Sequence, residues 1–338
     1  MINVGVLGAT GAVGQRFVQL LADHPWFNLT TLTASERSAG KPYADVVKWR
    51  LDVPFPEKMG KVTVSPTSVK ALKNVDLVFS ALPADIATDI EAKVADAGIA
   101  VCSNASSHRM RPEIPLVVPE VNPDHLGLID VQRDKGRDGF IVTNPNCSTI
   151  MMVMALAPLR KFGWTDVRVS TMQAISGAGF EGVAAMAIYE NLIPYIGKEE
   201  EKMETETLKI MGTFKDGKVK KAPFTVSASC HRVPVIDGHT MAVWADIGKS
   251  PEEIIKAYKT YKPPIKGLPT QPEKSVLYLD DPDRPQPRLD RMRGNGMTVS
   301  VGRVREGIRF VAMGHNTIRG AAGASVLNAE LIHSRKYL

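Results

Sequence analysis

Cys147 is the residue whose type and placement most directly suggest chemistry. It follows the turn-forming stretch TNPN and precedes the apolar run STIMMVMAL, a pattern that predicts a helix beginning near the cysteine. The positive end of a helix dipole and its unpaired N–H groups stabilise a thiolate, and could stabilise an oxyanion on a carbonyl that the thiolate attacks. Cys147 is therefore a candidate nucleophile, and the alternative is a small core residue at a helix end.

A thiol that attacks a carbonyl needs an acid/base partner, and histidine is the usual one. His231 and His239 both lie in the stretch CHRVPVIDGH, and residue type alone does not choose between them. Arg232, in the same stretch, could bind a substrate carboxylate through two parallel hydrogen bonds. Cys230 could join the two histidines in a metal site, but the spacing is not that of a metal site, so Cys230 is predicted to be structural.

Three glycines mark the first predicted turn from a strand to a helix. Gly8, Gly11 and Gly14 follow the apolar run INVGVL and precede QRFVQLLADH, whose apolar residues recur at helical spacing. Glycine permits the tight turn and lets backbone N–H groups approach a pyrophosphate at the helix N-terminus. The spacing GxxGxxG is weak alone, but its place between strand and helix predicts dinucleotide binding. The alternative is a tight turn without a ligand.

The end of the second predicted strand distinguishes between the two nicotinamide cofactors. An acidic residue there would bind the ribose 2′-OH of NAD, whereas arginine and hydroxyl groups would bind the 2′-phosphate of NADP. The sequence is ASERS, which places Arg37 between Ser35 and Ser38 and favours NADP. Glu36 keeps NAD as an alternative cofactor, and Arg37 could instead be a solvated surface charge.

Alternating strands and helices fill the first 146 residues. Parallel strands with helices on both faces form a Rossmann-like, doubly wound α/β domain, and the helix DIATDIEAKVADAG ends at Gly98. Ser80 and Leu82, at the end of the third strand, are expected to contact the cofactor. The predicted strands are residues 2–7, 29–35, 75–82, 99–106 and 139–144.

The pattern changes after residue 146. A helix from Cys147 is interrupted near Pro158, and Ser250 carries the N-cap signal of a later helix. Alternating strands and the hairpin formed by GMTVSVGRV and EGIRFVAMG predict a second, α+β domain with a mostly antiparallel sheet over residues 147–316. Residues 317–338 are predicted to pack back on residues 1–146 as a helix.

Composition excludes several classes of protein. The chain has 338 residues, of which 44% are hydrophobic and 23% are charged, and this predicts two ordinary globular domains. The net charge is +6, and basic and acidic residues are interleaved along the chain, which favours small anionic ligands. No motif indicates nucleic-acid binding. Three cysteines, including Cys102 in a predicted buried strand, do not form a disulfide framework. Without an export signal or a membrane-spanning run, the sequence predicts a cytoplasmic protein that does not contact membranes.

Six motifs together resemble the aspartate-β-semialdehyde dehydrogenase family, in its archaeal and fungal branch. They occur in order over nearly the whole chain: GATGAVGQ, SNASSHRM, NPNCST, QAISGAG, CHRVPVIDGH and GHNTIRGAAGASVLNAE. The resemblance implies NADPH-dependent, reversible reductive dephosphorylation of L-aspartyl-4-phosphate to L-aspartate-4-semialdehyde through a cysteine thioacyl intermediate. It also implies a homodimer or homotetramer, and a place in lysine, threonine, methionine and isoleucine biosynthesis.

The resemblance assigns roles at the substrate. Cys147 resembles the thiol of the intermediate, His239 its acid/base partner, and Gln173 the residue that orients the substrate. Arg232 resembles the clamp for the α-carboxylate. Glu206 and Lys209, on an acidic helix, resemble a pair that contacts substrate and phosphate respectively, although a solvated helix face is the alternative. Arg109 resembles a second phosphate contact, with a salt bridge in a loop as the alternative, and Asn146 is expected to bind substrate or phosphate.

The resemblance also assigns residues to three parts of the cofactor. Thr10 to Val13, within the glycine-rich turn, would hold the pyrophosphate. The full set expected there is Gly8, Thr10, Gly11, Ala12, Val13 and Gly14. Those expected at the 2′-phosphate are Ser35, Arg37 and Ser38. Those expected near the nicotinamide half are Gly177, Gly179 and Asn316.

Two alternatives to this function follow from the same motifs. Malonyl-CoA reductases and, more distantly, N-acetyl-glutamyl-phosphate reductase resemble this family and also form a cysteine thioester. The substrate alone separates them from an aspartyl-phosphate enzyme, and Arg232 favours the latter. A regulatory protein that binds NADP without catalysis predicts the loss of Cys147 or His239, and both are present.

Overall fold

Two six-stranded sheets and a two-stranded hairpin organise the protein. The computed structural model describes residues 1–179 and 181–338. Strands β1 to β6 build the first sheet, β8 and β9 the hairpin, and the remaining strands the second sheet. The strands are β1 (Ile2–Leu7), β2 (Phe27–Ala34), β3 (Ser65–Pro66), β4 (Leu77–Ser80), β5 (Ala100–Ser103), β6 (Ile141–Thr143), β7 (Asp166–Gln173), β8 (Thr213–Lys215), β9 (Lys218–Lys220), β10 (Thr225–Arg232), β11 (His239–Ala245), β12 (Val276–Leu279), β13 (Val299–Arg305) and β14 (Arg309–Gly314).

Helices connect the strands of both sheets and pack on their faces. A π-helix, Ile318–Ala322, leads directly into the last α-helix. The α-helices are α1 (Ala12–Leu21), α2 (Tyr43–Val46), α3 (Glu57–Gly60), α4 (Ala84–Asp96), α5 (Leu128–Asp134), α6 (Cys147–Leu156), α7 (Ala185–Ile188), α8 (Glu199–Ile210), α9 (Pro251–Thr260), α10 (Pro287–Asp290) and α11 (Gly323–Ser334). None of the helices within the described ranges is long and apolar enough to cross a membrane.

The first sheet is parallel throughout, in the order β3-β2-β1-β4-β5-β6. In this Rossmann order the succession of strands reverses between β1 and β4, and ligands bind outside the carboxyl ends of the strands at such a reversal. The five predicted strands correspond to β1, β2, β4, β5 and β6, so the predicted doubly wound α/β fold is confirmed. The two-residue strand β3 is additional.

The second sheet is mixed, in the order β10-β7-β11-β14-β13-β12. Three of its five pairings are antiparallel, which confirms the predicted mostly antiparallel sheet. The parallel pairing of β10 with β7 sets Arg232 opposite Gln173, because both strands end there. Antiparallel β11 begins beside the same edge, at His239. Strand register therefore gathers these three residues, although 66 positions (239 − 173) separate the first from the last along the chain.

Helix α6 lies between the two halves of the fold. Residues 148–156 are all buried, which explains the apolar run that follows Cys147 in the sequence. Its N-terminus is capped by Asn146, whose side-chain oxygen accepts a hydrogen bond of 3.0 Å from the Thr149 N–H group. The helix ends at Leu156, and a 3-10 turn continues through Pro158, as predicted. Cys147 is thereby fixed at the first helical position.

The C-terminal helix α11 packs on the first sheet. Val326, Leu327 and Ile332 are completely buried in the same apolar cluster as Val4 and Phe79 of that sheet. The last helix therefore packs against the first half of the chain. The capping box at Ser250 and Glu253, which starts α9, also agrees with the sequence prediction.

Candidate active site

Cys147 lines a cavity of about 520 Å³ between the two halves of the protein. The first half contributes Ala12 and Val13, at the N-terminus of α1, while the second half contributes Arg232. Gly320, in the π-helix, packs against the cysteine so closely that a Cβ atom there would lie 2.7 Å from the Cys147 Cβ atom. The cavity therefore joins the predicted nucleophile to the predicted cofactor turn, and only glycine fits behind that nucleophile.

Arg232 and Gln173 form the wall that the second sheet contributes. Both line the cavity, as the register of β10 and β7 requires. Arg232 donates a hydrogen bond of 2.7 Å from Nη1 to the carbonyl of Ala174, and Gln173 donates one of 3.2 Å from Nε2 to Thr171. The Arg232 guanidinium is thus held at a fixed orientation at the cavity wall.

His239 is completely buried behind the cavity wall, next to Gly177 and Arg232, and does not itself line the cavity formed by the described residues. A Cβ atom at Gly177 would lie 3.2 Å from His239 Nε2 and 2.7 Å from Arg232 Nη1. Nδ1 of His239 accepts a hydrogen bond of 3.0 Å from the Ala174 N–H group, and Nε2 has no partner among the described residues. Burial, followed by Arg232 and His315, lowers the pKa of His239 to about 3. The ring is therefore neutral and carries its hydrogen on Nε2, on the side of Gly177.

His231 faces elsewhere, because consecutive strand residues point to opposite faces of a sheet. Its Nδ1 lies 3.1 Å from the carbonyl oxygen of Thr171. Strand geometry thus separates the two histidines that residue type could not, and places His239 on the side of Arg232. Within the part of the chain that the structure describes, no cluster of histidine, cysteine and acidic residues could hold a metal ion.

Arg109 lines the cavity on the side of the first sheet. Its Nη1 donates a hydrogen bond of 2.9 Å to Glu206, and its Nη2 donates one of 2.7 Å to the carbonyl of Asn104. Asn146 also lines the cavity, and its backbone N–H donates to the other oxygen of Glu206 at 2.7 Å. Arg109 and Asn146 therefore line the same cavity as Cys147.

Glu206 and Lys209 do not line the cavity formed by the described residues, and both are held by protein partners, which argues against the predicted contacts with substrate and phosphate. Glu206 is buried, and its two carboxylate oxygens accept hydrogen bonds from Arg109 and from the Asn146 N–H group. Lys209 donates its three hydrogens to three backbone carbonyls. Two turns earlier on α8, Glu199 and Lys202 have the same spacing and do line the cavity.

Glu199 is thus a site residue that the sequence prediction missed. Its Oε1 accepts a hydrogen bond of 2.9 Å from the Asn146 side chain and one of 3.4 Å from the Ser148 hydroxyl. Its Oε2 lies 3.6 Å from Lys202 Nζ. The Glu-x-x-Lys pattern occurs twice on this helix, seven residues apart. The sequence therefore contains the pattern but does not show which of the two copies lines the cavity.

The electrostatics of Cys147 differ from the sequence prediction. Burial and then Glu199 raise the pKa of the thiol to about 12, although Arg109 and the Ser148 N–H group lower it. The expectation that the helix terminus brings this pKa towards neutrality is therefore wrong for this structure. Burial and Glu199 thus both favour the thiol form of Cys147 over the thiolate.

The glycine-rich turn has the shape that close approach of a pyrophosphate requires. Gly8 has φ +79°, and a Cβ atom at Gly14 would lie 2.1 Å from the Gly8 carbonyl oxygen. Gly11 is the N-cap of α1, where Ala12 and Val13 present N–H groups without helical partners. The first turn of this helix therefore fits a phosphate-bearing cofactor.

Other predicted cofactor residues differ in accessibility. Ser35 and Arg37 are exposed in the turn after β2, and Ser38 is half-buried there. Leu82 is half-buried after β4. Ser80 is completely buried, and its contact with a cofactor stays a prediction. Its carbonyl accepts a hydrogen bond from the Asn104 N–H group, because it lies inside the sheet edge.

A polar network fixes the loop after β7. Gly177, Gly179 and Asn316 line the cavity. Asn316 accepts a hydrogen bond of 2.8 Å from the Gly238 N–H group and donates one of 2.7 Å to Ser176. Ser176 donates in turn to Asp237 at 2.7 Å. Ser176 and Asp237 belong to the quoted motifs, but their pairing depends on contacts that are distant in sequence.

Comparison with known proteins agrees with this architecture. Residues 3–129 match the model of the semialdehyde dehydrogenase NAD binding domain, and residues 156–319 match that of the semialdehyde dehydrogenase dimerisation domain. The chain is 54% identical to aspartate-semialdehyde dehydrogenase of Archaeoglobus fulgidus, over 99% of both chains. It is 46% identical to the Schizosaccharomyces pombe enzyme of that name, over 97% of both.

Solved structures show the same likeness. Aspartate semialdehyde dehydrogenase with NADP from Candida albicans superposes with a TM-score of 0.93 at 41% identity, covering 100% of both chains. Aspartate semialdehyde dehydrogenase II complexed with ASA from Vibrio cholerae gives 0.79 at 28% identity, covering 100% of this chain and 99% of that one. The resemblance seen in the motifs is confirmed, and the chain belongs to the aspartate-semialdehyde dehydrogenase family.

Proposed function

We propose that the protein catalyses the reversible, NADPH-dependent conversion of L-aspartyl-4-phosphate to L-aspartate-4-semialdehyde and phosphate. The observation that carries this proposal is Cys147 at a helix N-terminus, in one cavity with Arg232 on one side and Arg109 on the other. Two fixed cations on either side of a nucleophile suit a substrate with an anionic group at each end. Two relatives that are named for this activity are 54% and 55% identical to the chain, and they support the same substrate.

The charges of the cavity match an amino-acid phosphate. Arg232 would bind the α-carboxylate, for which its planar guanidinium is suited. Glu199 offers a carboxylate to the α-ammonium group, and Lys202 and Arg109 offer cations to the phosphate. Glu199 and Lys202 take the roles that the sequence had suggested for the pair two turns later.

Cys147 forms the thioester in the first step. Its sulfur attacks the acyl carbon, and the carbon–oxygen bond to phosphate breaks. The thiol proton leaves with the phosphate, which departs as hydrogen phosphate beside Arg109. This destination for the proton suits a thiol with a raised pKa and a histidine that is already protonated on Nε2. The thioester carbonyl is a better hydride acceptor than a carboxylate, since covalent catalysis divides one difficult step into two.

The reductive step needs a hydride and stabilisation of the oxygen that becomes negative. NADPH, when bound, supplies the hydride. The N–H group on His239 Nε2 can donate to that oxygen, and Gln173 orients the acyl group beside the sulfur. The carbon–sulfur bond then breaks to release the aldehyde, and Cys147 regains a proton from solvent.

Three observations support NADP as the cofactor. The first turn of α1 fits a pyrophosphate, and Arg37 with Ser35 and Ser38 stands exposed where a 2′-phosphate would lie. The Candida albicans relative was crystallised with NADP. Gly177, Gly179 and Asn316 would contact the nicotinamide half, since they line the cavity near Cys147.

The outer face of the second sheet supports self-association. Ser170, Ala228 and Trp244 line a shallow concavity of about 620 Å³ on this face, and Trp244 is 40% exposed. Asp166, Arg168 and Asp246 also line the concavity, so an exposed tryptophan and small residues are bordered by charges, as at a protein interface with a polar rim. We infer a homodimer or homotetramer that uses this face, in agreement with the dimerisation domain matched over residues 156–319.

The remaining proposals concern organisation and setting. We propose an NADP-binding domain of residues 1–146 together with 317–338, and a catalytic and dimerisation domain of residues 147–316. The buried contacts of α11 with the first sheet support this division. The three free cysteines suit the cytoplasm, and the product would serve lysine, threonine, methionine and isoleucine biosynthesis.

The test follows absorbance at 340 nm with L-aspartate-4-semialdehyde, phosphate and NADP⁺. We expect phosphate-dependent NADPH formation by the unmodified protein and a loss of at least about 10³-fold in Cys147→Ala, because the nucleophile is absent. Cys230→Ser is the matched control and should retain activity. NADPH oxidation with malonyl-CoA, without turnover of the semialdehyde, would contradict the substrate. Full activity of Cys147→Ala would contradict the mechanism.

A further inference from the structure

Helix α8 presents two Glu–Lys pairs on one face, one at the cavity and one two turns further from it. Glu199 and Lys202 line the cavity, and Glu206 and Lys209 repeat the spacing seven residues later. Seven residues are two helical turns, or about 10 Å along the axis, so the second pair lies on the same face below the first. Buried charges of this kind require partners, because an unpaired charge away from water is strongly destabilising. Their partners lie in the loop that carries Arg109.

Lys209 joins three backbone positions of this loop, residues 104–114. Its Nζ donates hydrogen bonds of 2.7 Å to the carbonyl of Arg109, 2.8 Å to that of Arg111 and 2.8 Å to that of Ile114. An ammonium group has three hydrogens, so all of them are used. No hydrogen remains for a phosphate, while the backbone at Arg109 and on its C-terminal side, as far as Ile114, is held by a single atom.

Glu206 joins the same loop to the nucleophile. One carboxylate oxygen accepts from the Arg109 guanidinium at 2.9 Å, and the other accepts from the Asn146 N–H group at 2.7 Å. Asn146 directly precedes Cys147 and caps its helix. One carboxylate therefore sets the separation between the cation and the start of α6.

We propose that Glu206 and Lys209 are positioning residues that hold the Arg109 loop at a fixed distance from Cys147. The inference rests on the proposed function, in which Arg109 binds the phosphate. It assigns phosphate affinity in part to two side chains that no phosphate touches. A displacement of about 1 Å in such a cation is enough to lower activity strongly, since catalytic groups must be placed within fractions of an ångström.

A purely structural role predicts a different kinetic result. If the pair only stabilised the fold, a variant that remains folded would bind both substrates as before, or lose both equally. A positioning role predicts a selective loss, because Arg109 and not Arg232 depends on the clamp. The Michaelis constants of phosphate and of the semialdehyde therefore separate the two roles.

The experiment measures both constants in the phosphorolytic direction for Lys209→Met and Glu206→Gln. We expect the KM of phosphate to rise at least about tenfold, while the KM of the semialdehyde changes less than about twofold. Lys215→Met and Glu201→Gln, at exposed positions beside and on α8, are the matched controls and should match the unmodified protein. An unchanged phosphate KM, or an equal rise in both constants, would overturn the proposal.

Hydrogen exchange gives a readout that does not need turnover. The amides of residues 104–114 should exchange faster in Lys209→Met than in Lys215→Met, with the rest of the protein unchanged. If Lys209→Met does not fold, Glu206→Gln carries both measurements, since the amide has nearly the same shape. If the unmodified protein does not use phosphate, the proposed function fails, and exchange that stays unchanged in this loop would separately overturn the clamp.

Discussion

Cys147 stands between a carboxylate that opposes its ionisation and a cation that favours it. Glu199 is the second largest influence on the pKa of the thiol, after burial, and acts in the same direction. The same carboxylate holds the Asn146 side chain that caps the helix. The pKa of the thiol is therefore raised in part by a carboxylate that also holds the cap of its helix.

Replacing Glu199 with glutamine should make Cys147 more reactive. The amide keeps an oxygen for the Asn146 side chain but removes the negative charge, so the pKa of the thiol falls and the thiolate fraction rises at pH 8. We expect alkylation by iodoacetamide to accelerate about three- to tenfold. The rate is measured by mass spectrometry, with Cys102 and Cys230 as completely buried internal references.

The exposed Glu201→Gln is the control for this change on the same helix, and it should alkylate at the unmodified rate. Slower alkylation of Glu199→Gln would show that the carboxylate positions the thiol and does not suppress its ionisation.

The site residues differ in how far the sequence could predict them. Arg232, Gln173 and His239 were predictable from motifs, and strand alternation then excludes His231 from the same face. Glu199 was not, because Glu199–Lys202 and Glu206–Lys209 share one spacing on one helical face. Which pair reaches the cavity depends on how α8 packs on α6 and β10, and a single sequence does not contain that information.

At the scale of elements, the π-helix Ile318–Ala322 determines how closely the chain approaches Cys147. Arg319 is completely buried, and its guanidinium donates two hydrogen bonds, of 2.7 and 2.8 Å, to the carboxylate of Glu120. This ion pair anchors the turn that places Gly320 against Cys147. A π-helical turn was not predictable, since its hydrogen bonds follow from packing and not from local propensity.

Replacing Gly320 with alanine should impair catalysis more than folding. The added methyl group would lie 2.7 Å from the Cys147 Cβ atom and 3.1 Å from its Cα atom, so Cys147 must shift. We expect kcat to fall at least about tenfold, with a loss of stability of about 1–3 kcal/mol. Steady-state kinetics and urea unfolding measure the two effects.

Gly248→Ala is the matched substitution for this test, because a Cβ atom there meets nothing within 4 Å. It should leave both quantities close to those of the unmodified protein. A Gly320→Ala protein with unchanged kcat would mean that the contact with Cys147 has no part in catalysis.

At the scale of the whole molecule, buried histidines connect stability to pH. Burial lowers the pKa of His239 to about 3 and the pKa values of His125 and His315 to about 4, and it also lowers the pKa of His108. Their unfolded forms titrate near 6.5. Between that value and the folded pKa, the unfolded chain binds protons that the folded protein does not, so stability falls as pH falls.

Acidification from pH 7 to pH 5 should therefore destabilise the protein before its carboxylates titrate. The free energy of unfolding falls by about 1.4 kcal/mol for each pH unit below 6.5 and for each such histidine. At pH 5 this amounts to about 2 kcal/mol for each of His125, His239 and His315. Glu91, whose pKa is raised by burial, acts in the opposite direction, but it is one group against four. Asp290, with a pKa lowered to about 2, retains its stabilising contribution throughout this window.

The midpoint of thermal unfolding, measured at pH 7 and pH 5, tests this account. His125→Gln should unfold at a lower temperature than the unmodified protein at pH 7, because a packed ring is lost. It should nevertheless show a smaller decrease between pH 7 and pH 5, because one proton fewer is taken up on unfolding. His231→Gln, at a partly exposed position, should keep the full decrease. An equal decrease in all three proteins would show that groups other than the buried histidines control acid stability.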